Sequence, residues 1–228
     1  AKRIKIAVTG PYGGDRITAV LGEYFGGWSL TENQWSAENN AATAPRRIVS
    51  PEAQFQDHFM TGWRIPGIHS SDRRALLLLN NVLGGPAMNS RLGLNIREKH
   101  GIAYNIESYM NLYSDVGMLG IYLGCDPLQT KKAEQLVHRE VERFISQPLG
   151  TLQLSKAKNQ FIGQMALAEE NGLNSAISAA RALLHFGKVS TFDFVASQIR
   201  ELTTLDLQRV ANDYLAKELA FSLIYTKA

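Results

Sequence analysis

Apolar and polar positions change their spacing several times along the chain, and each change marks an element. Residues 3–9, RIKIAVT, form a short β-rich run that ends in the loop Gly10-Pro11-Tyr12-Gly13-Gly14. Asp15 then caps a helix whose apolar positions Ile17, Val20, Leu21, Tyr24 and Phe25 keep helical spacing until Gly26-Gly27. Ser29 to Arg47 is polar, carries Pro45, and sustains no period, which reads as a linker between packed units. Residues 54–65, QFQDHFMTGWRI, mix alternation with aromatic weight and predict a strand broken by Pro66-Gly67.

The next stretch, through Tyr104, is read as helix, break, helix, stop, strand. Ser70 or Ser71 opens a helix, and Leu76, Leu77, Leu79, Val82 and Leu83 run along it into Gly84-Gly85-Pro86. Asn89 or Ser90 is suited to cap a second helix, with Leu92, Leu94 and Ile96 as its apolar side. Gly101 suits a left-handed turn after its end. Arg97 then falls in the last helical turn and Tyr104 on the first residues of a strand. Residues 102–112 and 116–125 are strand candidates joined through Ser114-Asp115, a hairpin.

Beyond Asp126-Pro127 the spacing is helical. Helices are predicted over 130–146, 151–170, 173–186, 191–202 and 204–217, with Leu152, Leu154, Ala157, Phe161, Met165 and Leu167 as the inner face of the second. Thr203 with Asp206 makes a capping-box entry to the last helix. Residues 219–226, LAFSLIYT, close the chain as a strand, and RIKIAVTG and LAFSLIYT each fit the last strand of an equivalent unit. The pattern is α+β, with a small mixed or antiparallel sheet covered by helices on one face.

Composition narrows the function classes. The chain has 228 residues, 45% hydrophobic and 20% charged, which suits a globular protein with a proper core. The net charge of +3 comes from interspersed charges, and no basic run interleaves with aromatics, which argues against nucleic-acid binding. No apolar run is long enough to span a membrane. The absence of an initial Met and the abrupt entry into structure suggest a piece of a longer protein. One cysteine, Cys125, rules out an internal disulfide, fits a reducing compartment, slightly favours the cytoplasm, and reads as buried and inert. The glycines at 10–14 match neither nucleotide-binding loop pattern, so they are a plain turn. His58 has no second His or acid at ligand spacing and reads as a half-exposed strand residue. On spacing alone, Arg97 serves the carbonyls of its helix end and Tyr104 the rim of the core.

Four segments add to this reading. The opening IAVTGPYGGDRITAVLGEYFGGW, LGGPAMNSRL, IREKHGIAY with Arg and Tyr seven positions apart, and the hairpin segment YSDVGMLGIYL occur in that order. Together they resemble the C-terminal half of the pitrilysin/insulinase-type metallopeptidases, the inverzincins, in their bacterial processing-peptidase-like branch. The resemblance implies one half of a two-fold-repeated clamshell. Residues 1–28 would be the closing strand and helix of the preceding half, 29–46 the linker, and 47–228 the C-terminal peptidase-like domain. It also implies zinc in the N-terminal half, on H-x-x-E-H and a more distant Glu, with Arg97 and Tyr104 supplied from across the chamber to bind substrate and stabilise the transition state. Arg91, in the SRL segment, is expected to be structural.

None of the five histidines, His58, His69, His100, His138 and His185, begins H-x-x-E-H. No cofactor is therefore expected in this chain, and alone it is not expected to hydrolyse peptides. Its expected partners are a zinc-bearing N-terminal half or homologous subunit, and a peptide substrate. A second expectation is a non-catalytic partner or scaffold subunit beside an active zinc peptidase. A regulatory domain that binds a small metabolite ranks last.

Overall fold

The computed structural model of the chain describes residues 4–28, 44–53 and 55–227. The chain divides into two compact units, residues 1–39 with 162–195, and residues 40–161 with 196–228. The second unit is built on β2 (Asp57–Pro66), whose burial alternates along its length. Phe59, Trp63 and Ile65 point to one face and are almost wholly buried, while His58, Met60 and Arg64 point to the other. That period of two is what a sheet with one covered face requires.

Five strands lie in the order β1-β5-β2-β4-β3. The hairpin of β3 (Ala103–Leu112) and β4 (Val116–Cys125) follows the sequence reading, and β4 pairs antiparallel with β2 over its whole length. β5 (Phe221–Lys227) enters the sheet between β2 and β1 (Arg47–Ala53), antiparallel to the first and parallel to the second. The sheet is therefore mixed and largely antiparallel. α2 (Arg73–Gly84), α3 (Thr130–Ser146) and α7 (Thr204–Tyr214) cover its inner face. Trp63 fills that layer and donates its indole N–H to the Ala216 carbonyl at 3.0 Å. Removing a buried aromatic of this size typically costs about 3–5 kcal/mol.

In the first unit, α1 (Gly14–Phe25) and α5 (Gly172–Phe186) bury no residue fully. α4 (Thr151–Glu170) and α6 (Phe192–Glu201), each with residues in both units, complete the helices close to the predicted bounds. No described helix is long and apolar enough to cross a membrane.

Several expectations change. Residues 4–9 pair with no strand among the described residues, so their β-rich composition is not used in a ladder. α1 has Gly13 at its N-cap, and Asp15 lies inside the first turn. β1 was not anticipated, because Pro51 and the polar residues before it mask Ile48-Val49. The ladder with β5 is irregular between Ser50 and Ala53, where a proline on an edge strand is tolerated. On α4, Leu154 and Ile162 are buried but Leu152 and Leu167 are exposed, so the inner face is rotated from the predicted one. In α2 it is Leu78, not Leu77, that joins Leu76 and Leu79 in the core, since four consecutive leucines carry no phase. α7 stops at Tyr214, before a short 3-10 turn at Lys217–Leu219. The predicted linker lies mainly in 29–43, outside the described residues.

α7 is tied to the start of α2 by charge. Arg209 donates to Asp72 at 2.6 Å and the Tyr214 hydroxyl donates to the same carboxylate at 2.7 Å. The Arg209 hydrogen bond holds the Asp72 carboxyl below its usual range; partial burial opposes this, and the Tyr214 bond reinforces it. Burial and Asp72 together push the Tyr214 phenol up to about 12. A depressed carboxylate stabilises the fold above its unfolded pKa of about 3.9, and that contribution disappears as pH falls through the folded value. Asp72→Asn is expected to cost about 1–2 kcal/mol at pH 7 and progressively less below about pH 4. Urea midpoints of both proteins at pH 7 and pH 3 check this.

Candidate functional site

α2 ends where its backbone approaches β3 most closely. A Cβ on Gly84 would lie 2.6 Å from the Ser108 backbone nitrogen, so only glycine lets the helix end there. Ser108 then donates its hydroxyl to the Asn80 carbonyl at 2.9 Å. After Pro86 the chain turns, and the Ser90 hydroxyl accepts from the Gly93 N–H at 3.3 Å. Of the two cap candidates, Ser90 is the one that serves.

The helix that follows is wider than expected. Residues Gly93–Glu98 form a π-helical turn, with the Lys99 N–H reaching back to the Leu94 carbonyl. Leu92 and Ile96 are buried beneath it, whereas Leu94 is 47% exposed and leaves the predicted apolar side. Gly101 closes the turn at φ +59°, as its position predicted, and its N–H reaches the Arg97 carbonyl while the Ile102 N–H reaches that of Ile96. Single π turns inside helices recur at functional sites, where they shift the side chains beyond them.

β3 begins with a second irregularity. Ala103 opposes Cys125 and Asn105 opposes Gly124, so Tyr104 is an extra residue on this edge strand. The bulge turns Tyr104 and Asn105 outward together and returns Ile106 to the core. Tyr104 is 94% exposed. Nothing in the sequence pattern announces either irregularity.

Arg97 lies on the π turn with one-third of its side chain exposed and donates from Nε to Glu98 at 3.0 Å. An exposed pair between adjacent residues stabilises little, at most about 1 kcal/mol. Both terminal nitrogens of the guanidinium lack a hydrogen-bond partner among the described residues, and a Cβ on Gly93 would sit 3.7 Å from one of them. No hydrogen bond joins Arg97 to Tyr104 among the described residues. The loop brings both to one end of β3, each with donors free. Arg91 differs: its guanidinium stacks 4.3 Å from the Phe144 ring centroid beside the buried Glu140, and burial pushes its pKa down.

The remaining candidate ligands are spoken for. His58 Nδ1 lies 2.8 Å from the Tyr122 hydroxyl, and the buried Asp57 accepts from the Thr130 hydroxyl at 2.6 Å. His138 packs edge-on to Phe59, and burial pushes its pKa down. The Cys125 thiol is buried against Thr130, and burial pushes its pKa up, which suits an inert side chain. Among the described residues no three His, Cys, Asp or Glu side chains converge as ligands.

Comparison with known proteins gives the family of the chain. The family model described as the peptidase M16 inactive domain matches residues 1–161. The chain belongs to that family. The M16 inactive domain is the C-terminal domain type of the M16 zinc proteases, as the names of its relatives reflect. The chain is 27% identical over 221 residues to an uncharacterized zinc protease of Mycobacterium leprae, covering 95% of this chain and 49% of the relative. It is 28% identical over 227 residues to the uncharacterized zinc protease YmxG of Bacillus subtilis, covering 97% and 54%. It is 26% identical over 209 residues to the human mitochondrial-processing peptidase subunit alpha, covering 87% and 38%. The fold matches that of a protease from Helicobacter pylori with a TM-score of 0.83 at 16% identity, covering 94% of this chain and 53% of that one. The chain thus spans about half the length of the bacterial relatives it matches.

The left-handed backbone at Gly101 gives a direct test of how the turn holds the M16 domain's strand entry. Gly101→Ala is expected to lose about 1–2 kcal/mol, since no contact offsets the strain, and Gly101→Asn distinctly less. Thermal unfolding of the two variants measures the difference.

Proposed function

We propose that this M16 domain completes a peptide-hydrolysing site by supplying Tyr104 and Arg97 to a zinc-bearing N-terminal half or homologous subunit. The observation that carries the reading is Tyr104 itself. A phenol at a bulge on an edge strand, 94% exposed and seven residues from an arginine with free donors, is costly to explain as core packing. Residues 1–28 would then belong to the fold of the preceding half, and 29–46 would join the halves. Support for this comes from α1, which buries none of its apolar residues fully, and from residues 4–9, which pair with no described strand.

Peptide hydrolysis places a new negative charge on the former carbonyl oxygen. Tyr104 would donate its hydroxyl to that oxygen, and a donor of this kind is worth about 2.7–4 kcal/mol in comparable sites. Arg97, always charged and with two free terminal nitrogens, would hold a substrate backbone carbonyl in line with it. The opposite half would carry zinc, which supplies an activated water; no residue of this chain takes part in holding it.

A second reading is a non-catalytic partner or scaffold beside an active peptidase. The likeness to a protein named as the alpha subunit of a processing peptidase favours it. Reconstitution separates the two. The chain is combined with its zinc-bearing half or homologue, and cleavage of a quenched fluorescent peptide pool is followed with and without chelator. Tyr104→Phe and Arg97→Ala are each expected to lower kcat/KM at least about tenfold, with the unfolding midpoint of Tyr104→Phe unchanged because that side chain is exposed. Full activity in both variants assigns this chain to the scaffold reading.

A further inference from the structure

The uncovered face of the sheet carries a groove that neither Tyr104 nor Arg97 touches. Across four strands, Phe221, Gly62, Gly120 and Tyr109 stand in one row, because Gly62 opposes both Phe221 and Gly120, and Gly120 opposes Tyr109. Gly62 makes the floor and the Phe221 and Tyr109 rings the walls, with Gly120 buried. Tyr109 leans over its glycine: a Cβ on Gly120 would lie 2.5 Å from the tyrosine ring. A Cβ on Gly62 would meet the Leu119 carbonyl oxygen at 3.1 Å and the Met118 side chain at 3.8 Å, so a side chain at this position would crowd the neighbouring strand.

The next rows close the two ends with adaptable apolar groups, Met60 beside Leu223 at one and Met118 at the other. The groove holds about 440 Å³, enough for one bulky side chain and its flanking backbone. Methionines that line such a surface repack around different apolar shapes. Its charge is one-sided. Arg46 and Arg64 line it, both exposed and without an ion-pair partner among the described residues, and none of the described residues that line it is acidic.

We propose that this groove binds a peptide segment in which one bulky apolar side chain is flanked by carboxylates. The apolar side chain sits over Gly62 between Phe221 and Tyr109, and the carboxylates meet Arg46 and Arg64 at the rim. Apolar walls alone would suit many occupants; the two arginines with no acid between them select an acidic-apolar segment. This deepens the proposed peptidase function by naming a substrate feature, and it rests on that reading for its setting.

Binding is measured apart from cleavage. Fluorescein-labelled twelve-residue peptides centred on Glu-Phe-Glu, Lys-Phe-Lys or Glu-Ala-Glu are titrated by anisotropy against the full protein that contains this chain, with chelator present. The Glu-Phe-Glu peptide is expected to bind at least about tenfold tighter than either other peptide. The double variant Arg46→Glu with Arg64→Glu is expected to reverse the preference between the Glu and Lys peptides, and Met118→Asp to weaken Glu-Phe-Glu. Equal binding of the Glu and Lys peptides, or a charge-reversed double variant that binds as the native protein does, overturns the proposal. So does concentration-dependent self-association that the double variant abolishes, since a second copy would then be the occupant. Tyr104→Phe is expected to leave all three affinities unchanged. If cleavage survives that substitution while the groove preference holds, the catalytic reading fails and the groove stands; if cleavage falls and no preference exists, the groove fails alone.

Discussion

The inward row of β2 sets the terms for the rest of the second unit. Phe59, Trp63 and Ile65 occupy every other position of one strand, and their burial demands a helical layer on that side only. α2, α3 and α7 supply it. Once α2 lies on β3, the contact of Gly84 with the Ser108 backbone fixes where the helix ends, and hence where the chain emerges to form the π turn. The position of Arg97 is in this sense a packing result, transmitted from the sheet through a glycine. Replacing that glycine would disturb the loop without touching either candidate side chain.

What could be read in the sequence was local. The hairpin of β3 and β4, the Gly101 turn, and the Thr203–Asp206 capping box are all decided within a few residues, and each lies where the pattern places it. What could not be read depends on partners far along the chain. β1 exists because β5 offers it an edge, and residues 4–9 have equal β character but pair with no described strand. The exposure of Leu152 and Leu94 likewise follows from which neighbours are present, not from their own chemistry.

The candidate site divides along the same line. Arg97 and Tyr104 were legible only through a family pattern, since seven-residue spacing between an arginine and a tyrosine carries no chemistry alone. The two irregularities that present them, a wide helical turn and an unpaired strand residue, left no trace in the hydrophobic pattern. Both add one residue to a regular repeat. The row across the sheet was hidden for a different reason: Gly62 and Gly120 are 58 positions apart and become neighbours only through strand register.

The strand order has a mechanical consequence. β1 and β3 are opposite edges of one five-stranded sheet, so the segment that leads in from residue 46 and the strand that bears Tyr104 are separated by four strand spacings, about 19 Å. The sheet is a lever of that length. A rotation of about 10° at the β1 edge would sweep the β3 edge through about 3 Å, which is the whole length of a hydrogen bond. An exposed side chain at the far end of such an arm would be carried that distance by a small turn at its root, with no change inside the domain.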